Sequence, residues 1–155
     1  MKKLFSMLFI VTLLGLVFTA CGNDKDEPEA PKAQNLESVH EQGEHYFVFD
    51  IDMNKDKSTI YMYQIQFAPG APSMDLRVNV PASFNQSSNV YTLTGTGLVA
   101  ERYVKSMESD NKWVPMPGDQ YKLNDLMCTV NPSAKQYSIS FTAHGGKFEE
   151  SGKLK

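Results

Sequence analysis

The feature that most constrains the fold is a series of short segments, starting near Glu44, in which apolar and polar residues alternate. The side chains of a strand point alternately to two faces, so this alternation predicts strands with one buried face. The segments are YFVFDIDM, STIYMYQIQF, MDLRVNV, VYTLTG, GLVAERYV, YKLNDLMCTV, QYSISFTA and KFEESGKL. Turn-forming residues separate them, and no apolar stripe of helical period is sustained. The pattern predicts an all-β chain of about eight antiparallel strands, as a sandwich or a barrel.

The first two segments form a pair of candidate strands. Phe47 and Phe49 share one face of the first segment, and Tyr61 and Tyr63 share one face of the second. The gap NKDKS has the length and composition of a hairpin turn, so we expect the two strands to pair. The four aromatic residues either fill the interior or line a ligand cavity, because an eight-stranded barrel can do both. The stretch LVAERYVKSMES alone has a helix as its alternative.

The N-terminal sequence MKKLFSMLFIVTLLGLVFTAC has the organisation of an export signal. Two lysines are followed by an apolar run and by the small residues Thr19 and Ala20. This order is typical of a secretory signal peptide, and the apolar run is short for a membrane span. We assign residues 1–20 to the signal peptide, with a retained signal anchor as the alternative.

The residues around Cys21 resemble the lipobox of bacterial lipoproteins, in which a lipidated cysteine becomes the first residue of the mature chain. Phe18 stands where that family usually carries leucine, a departure that lipoproteins of the Bacteroidetes tolerate. The resemblance implies a diacylglyceryl group on Cys21 and hence a membrane as partner. Two acyl chains anchor stably, because each buried methylene contributes about 0.8 kcal/mol.

The segment after Cys21, residues 21–43, is rich in charge and proline. Such a composition buries too little apolar surface to offset the entropy of ordering, so it predicts a flexible acidic stalk. Its acidic cluster resembles the surface-export signal of Bacteroidetes lipoproteins, which implies a location on the cell-surface side of the outer membrane. We assign residues 44–155 to one β-domain. If Cys21 is lipidated, no intramolecular disulfide forms, since Cys128 is the second of two cysteines.

Carboxylates at Asp50, Asp52 and Asp56 have the spacing with which a calcium loop begins. An EF-hand loop requires glycine at its sixth place and glutamate at its twelfth, where this chain has Lys55 and Tyr61. The interpretation we favour is a strand end and a polar turn. A weak calcium site at the turn is the alternative.

No other motif predicts catalysis or metal binding. His40 and His45 in HEQGEH are five residues apart instead of the four of a zinc helix, and Gly43 lies between them, so we assign them to the linker. His144 is expected in a solvated turn and Cys128 in the core. The sequence lacks a Gly-x-Ser-x-Gly elbow. We therefore expect no enzyme, no cofactor and no metal site.

Charge and aromatic content narrow the class of partner. The formal net charge is −3 and the basic residues form no cluster, which does not favour nucleic acid. Trp113 lies in NKWVPMPGDQY, which we predict to be a loop that binds a glycan or a peptide. The alternative is that this loop folds back and closes one end of the barrel.

The runs STIYMYQIQFAPGAPSMDLRV, VYTLTGTGLVAE and QYSISFTAHGGKFEESGKL resemble the calycin-like β-barrel domain of Bacteroidetes lipoproteins. The resemblance implies an eight-stranded, lipocalin-like meander barrel, although the lipocalin Gly-x-Trp signature is missing. We expect a binding module that holds a small apolar ligand in the barrel, or a glycan or peptide at its loop end. The candidate ligand-binding residues are Phe47, Phe49, Tyr61, Tyr63 and Trp113. The alternatives, in order, are an interaction subunit of an outer-membrane assembly and a hydrolase with an unrecognised site.

Overall fold

The computed structural model describes residues 33–67, 70–105 and 112–155. The predicted signal peptide, Cys21 and most of the predicted stalk lie outside these residues. Within the described ranges, no helix is long and apolar enough to cross a membrane.

The described chain is all-β, as predicted, and contains twelve strands and one short 3-10 helix in these ranges. The strands are β1 (Gln34–Glu37), β2 (Tyr46–Ile51), β3 (Ser58–Ile65), β4 (Met74–Val80), β5 (Ala82–Asn85), β6 (Val90–Gly95), β7 (Leu98–Val99), β8 (Glu101–Val104), β9 (Lys112–Pro115), β10 (Lys122–Asn131), β11 (Gln136–Ala143) and β12 (Gly146–Lys153). The 3-10 helix, Asp119–Tyr121, precedes β10. All strand pairs are antiparallel.

The strands form two sheets. The first sheet has the order β1-β2-β3-β4-β8-β9, and the second has the order β12-β11-β10-β6-β5 with β7 paired to β10. Three connections among the described residues pass from one sheet to the other, and residues 116–121 form the last of them, between β9 and β10. Pro81 separates β4 from β5, and Ala100 separates β7 from β8. Proline cannot donate to a ladder, so β4 ends at Val80 and the chain resumes pairing in the second sheet.

The inner faces of both sheets bury one apolar core, to which alternate residues of the strands contribute. Buried side chains of the first sheet include Phe47, Phe49, Ile51, Ile60, Met62, Leu76 and Val78, and those of the second include Leu93, Leu126, Cys128, Val130, Ile139 and Phe141. Cys128 is buried as predicted, and its burial raises the pKa of the thiol. The alternation therefore identified the buried face of most strands.

Hydrogen bonds also join the edge strand β1 of the first sheet to the edge strand β12 of the second. Ser38, directly after β1, forms an antiparallel bridge with Leu154, directly after β12. The Val39 N–H donates to the Lys153 carbonyl at 2.7 Å, and the Lys155 N–H donates to the Glu37 carbonyl at 2.9 Å. Among the described residues, this contact between the two sheets is an isolated bridge and not a full strand ladder, so no closed barrel is formed there.

A β-bulge in β3 changes which face its last residue occupies. Gln64 has a φ of 57° in the left-handed region, and the register to β4 shifts between Met62 and Ile65. The extra residue turns the Ile65 side chain to the same face as Met62. Simple alternation along STIYMYQIQF predicts Ile65 on the face of Tyr61 and Tyr63, and this prediction is wrong because alternation does not include the bulge.

Three short strands were not predicted. Strand β1 lies inside the stretch assigned to the stalk, so the β-domain includes residues before the predicted boundary at Glu44. Strand β5 follows Pro81, where we expected pairing to end. Strand β9 contains Trp113, which we had assigned to a loop. For LVAERYVKSMES, residues 98–99 and 101–104 form strands, and residues 106–109 lie outside the described residues.

Candidate functional site

The predicted ligand-binding residues divide between two faces of the first sheet. Phe47 and Phe49 point to the core, and both side chains are 0% exposed. Their rings stack on each other at 6.1 Å between centroids, and both contact the ring of Tyr137. The pair opposite them in β3, Met62 and Ile60, is equally buried. The two phenylalanines thus fill space between the sheets and lie in a packed region.

Tyr61, Tyr63 and Trp113 lie on the outer face of the same sheet. All three are half-buried, and none belongs to the described side chains that pack against the core. Their outward direction follows from alternation, because Tyr61 is flanked in β3 by buried Ile60 and Met62. Packing of the core therefore does not explain why these three aromatic residues lie on the outer face.

These three residues belong to a larger row of aromatic contacts. The Tyr46 and Tyr63 rings stack at 4.5 Å, and the Tyr61 and Tyr63 rings are nearly parallel at 6.3 Å. Trp113 contacts Tyr61 at 5.8 Å and Tyr103 at 5.2 Å. Aromatic rings therefore run across the outer face from β2 to β9.

The contact between Trp113 and Tyr61 joins residues from two strands that are not neighbours in the sheet. Strand β9 is separated from β3 by β8 and β4 in the sheet order, so a flat sheet would hold these rings well apart. The 5.8 Å contact shows that the two side chains approach each other across the outer face of β4 and β8. Strand β8 pairs with β4 through two residue pairs, Leu76 with Arg102 and Arg77 with Glu101.

These aromatic residues line an open cleft of about 580 Å³, which we call the aromatic groove. The described residues lining it are Asn35, Val48, Asp50, Tyr61, Tyr63, Asp75, Tyr103 and Trp113. Its volume is in the range of small-molecule sites, about 300–1,000 Å³. Its lining combines flat aromatic faces with carboxylate and amide groups.

Arg77 holds the tryptophan of this groove. Its guanidinium carbon lies 5.0 Å from the centre of the Trp113 ring, and its Nε donates to a Glu101 carboxylate oxygen at 2.5 Å. The cation–π contact and the ion pair together restrict the indole from one side. Trp113 is therefore positioned by neighbours that themselves lie outside the groove lining.

Two carboxylates, Asp50 and Asp75, make the lining of the groove acidic. The Asp75 carboxylate accepts the N–H of Gln64 at 3.0 Å, which fixes it beside the bulge. Desolvation raises the pKa of Tyr63, and the charge of Asp75 adds to the effect. Asp50 lines the groove from β2 and pairs in register with Asn35 of β1.

A second group of polar residues was missed from the sequence. The Tyr137 hydroxyl donates to one carboxylate oxygen of Glu150 at 2.6 Å, and the other oxygen of Glu150 hydrogen-bonds to Nε2 of His45. His40, also assigned to the linker, stacks on Tyr46 at 4.1 Å. Both histidines are therefore part of the folded domain. A polar cleft of about 390 Å³ lies beside His45 and Glu150.

The remaining sequence candidates have structural roles. In the turn after β2, the Asp52 carboxylate accepts the N–H of Asn54 and pairs with Lys55 at 3.3 Å, and these contacts lower the pKa of Asp52. No group of three or more His, Cys, Asp or Glu side chains suited to a metal occurs among the described residues. His144 lies exposed in the turn between β11 and β12, as predicted, and its ring stacks on Tyr121.

Sequence reasoning identified three members of the aromatic groove and missed the others. Tyr103 and Asp75 both alternate outward in predicted strands, so that signal was available, but nothing local shows that they meet. Asn35 lay in the stretch assigned to the stalk. Comparisons of the chain with protein-family models, curated proteins and solved structures find no match.

Proposed function

We propose that this chain is a lipid-anchored, cell-surface binding module that binds a glycan in the aromatic groove. The observation that carries the proposal is the set of four rings, Tyr61, Tyr63, Tyr103 and Trp113, around one cleft on a face that is not used for the core. The role is binding without catalysis. The anchor and the stalk then hold the groove away from the membrane.

The chemistry of the lining favours a glycan over an apolar ligand. The C–H faces of a pyranose ring pack on flat aromatic side chains, and its hydroxyls donate to carboxylate and amide oxygens. The groove offers both kinds of contact, with Asp50, Asp75 and Asn35 beside the rings. A small apolar ligand inside the barrel is less favoured, because Phe47 and Phe49 occupy the interior.

Binding to a panel of polysaccharides tests the proposal, with affinity electrophoresis as the measurement. Trp113→Ala should weaken binding by about fivefold or more, because truncating an aromatic anchor costs about 1–3 kcal/mol. Trp113→Phe should retain part of the wild-type affinity, because it keeps an aromatic ring. Met127→Ala, which removes a side chain 58% exposed on the second sheet, is the matched control and should bind as the wild type. Absence of binding to every polysaccharide, or equal binding by Trp113→Ala, would refute the proposal.

The anchor is proposed from the residues that precede the described domain. Lipidation of Cys21 at the outer membrane is supported by its resemblance to a lipobox. Cys21→Ala should release the protein from the membrane fraction into the soluble fraction. If the variant stays in the membrane fraction, lipidation is not what holds the chain there.

We also propose that the two sheets are a flattened form of the calycin-like barrel. Two observations support this relation: the chain crosses between sheets at Pro81 and Ala100, and the Ser38–Leu154 bridge links β1 with β12. Barrels and packed sheets are related by such corner strands. An experimental structure in which β1 and β12 are far apart would contradict the relation.

The alternative role as an interaction subunit draws less support from the surface. The large hydrophobic side chains exposed in the described residues are Val39, Val99 and Met127. Val39 follows β1, and Val99 and Met127 lie on the paired strands β7 and β10, where Val99 is opposite Lys122, five residues before Met127. A docking face is expected to gather such residues in one contiguous patch.

A further inference from the structure

The aromatic groove is acidic as well as aromatic. Among the described residues that line it, Asp50 and Asp75 carry charge, and no lysine, arginine or histidine is present. Arg77, a cation next to the groove, lies over Trp113 and is paired with Glu101, so its charge is locally compensated. The fixed charge of the groove is therefore negative.

The aromatic rings add to this preference. The face of an aromatic ring carries negative electrostatic potential and attracts cations within about 6 Å of its centre. The molecule already uses this interaction once, between Arg77 and Trp113 at 5.0 Å. Four rings and two carboxylates around one cleft therefore provide a site for an ammonium group next to a flat apolar surface.

We propose that the groove selects saccharides with free amino groups, in protonated form, over neutral and acidic saccharides. The inference rests on the proposed glycan-binding function and specifies its ligand class. An amino sugar presents a pyranose face to the rings and an ammonium group to Asp50 or Asp75. Acidic saccharides place a carboxylate near these aspartates, and like charges repel.

The test compares two oligosaccharides that share one backbone with an acidic saccharide and a cationic peptide. Isothermal titration measures the affinity of the full chain for a glucosamine oligosaccharide, for the N-acetylated oligosaccharide of the same length, and for an oligogalacturonate. A lysine oligomer of similar charge serves as a cation without pyranose faces. The amino oligosaccharide should bind about five- to tenfold more tightly than its acetylated form, the effect of one or two partly exposed charge contacts.

Two variants assign the preference to the groove. Asp50→Asn keeps the size of the side chain and removes its charge, and it should reduce the preference to about twofold or less. Asp119→Asn is the matched control, because Asp119 is exposed and pairs with Lys122 outside the groove, and it should leave the preference unchanged. Trp113→Ala should weaken binding of both the amino and the acetylated oligosaccharide.

The outcomes separate this inference from the proposed function. If the acetylated or the acidic oligosaccharide binds as tightly as the amino form, or if Asp50→Asn keeps the full preference, the inference is wrong and glycan binding stands. If the lysine oligomer binds as tightly as the amino oligosaccharide, charge alone is recognised and the inference is also wrong. If no saccharide binds the wild type, both proposals are wrong.

Discussion

Replacing Phe49 by alanine distinguishes a packed interior from a ligand cavity. The Phe49 side chain is 0% exposed and its ring contacts Phe47 at 6.1 Å and Tyr137 at 5.4 Å. Burying a phenylalanine contributes about 1.5–3 kcal/mol by transfer from water alone. Truncation also leaves a cavity and removes both ring contacts. The expected total loss for Phe→Ala in a packed core is about 3–5 kcal/mol.

Urea unfolding of the purified protein, followed by tryptophan fluorescence, measures this loss. Tyr61→Ala is the control: it also truncates an aromatic residue in the same sheet, but on the outer face, and should cost less than about 1 kcal/mol. Phe49→Leu keeps most of the volume and should cost less than about 1.5 kcal/mol, so it remains measurable if Phe49→Ala does not fold. If Phe49→Ala lowers the free energy of unfolding by less than about 1 kcal/mol, the interior is not packed around Phe49.

Two further predictions concern Tyr137, whose hydroxyl donates to Glu150. Burial and the Glu150 charge raise its pKa above 10.0, so the unfolded chain loses this proton first and the free energy of unfolding falls above about pH 10. In thermal unfolding across pH 8–11, Tyr137→Phe should show a smaller alkaline loss than the wild type, and an equal loss would contradict the assignment. Gly152→Ala places a β-carbon 2.8 Å from the Tyr137 ring and should cost about 1–3 kcal/mol in urea unfolding, so unchanged stability would show that the ring moves freely.

The alternation of apolar and polar residues predicted the strands that form the core. It worked for β2, β4, β6, β10 and β11 because each buries one face against the other sheet, and burial requires apolar residues at every second position. It failed for β1, β5 and β9. Each of these strands has four residues and lies at an end of its sheet, where no buried stripe is long enough to be detected.

The positions of the groove residues depend on different kinds of information. Local alternation is sufficient to place Tyr61 and Met62 on opposite faces of β3. The bulge at Gln64 is a change of backbone conformation that leaves no apolar pattern in the sequence. The same bulge fixes Asp75 through the Gln64 N–H, so one side of the groove depends on a feature that periodicity does not predict. The contact of Trp113 with Tyr61 depends on the strand order β3-β4-β8-β9, which local periodicity does not predict.

Under the proposed function, the division of aromatic residues between the two faces would let the ligand preference of the groove change without loss of the fold. Phe47 and Phe49 hold the two sheets together, so their replacement changes stability. Tyr61, Tyr63 and Trp113 contact one another and solvent, and they do not pack against the core. Changes at these positions should therefore alter ligand affinity with little effect on folding. A binding surface on the outer face of a sheet whose inner face is already packed can vary independently of the core.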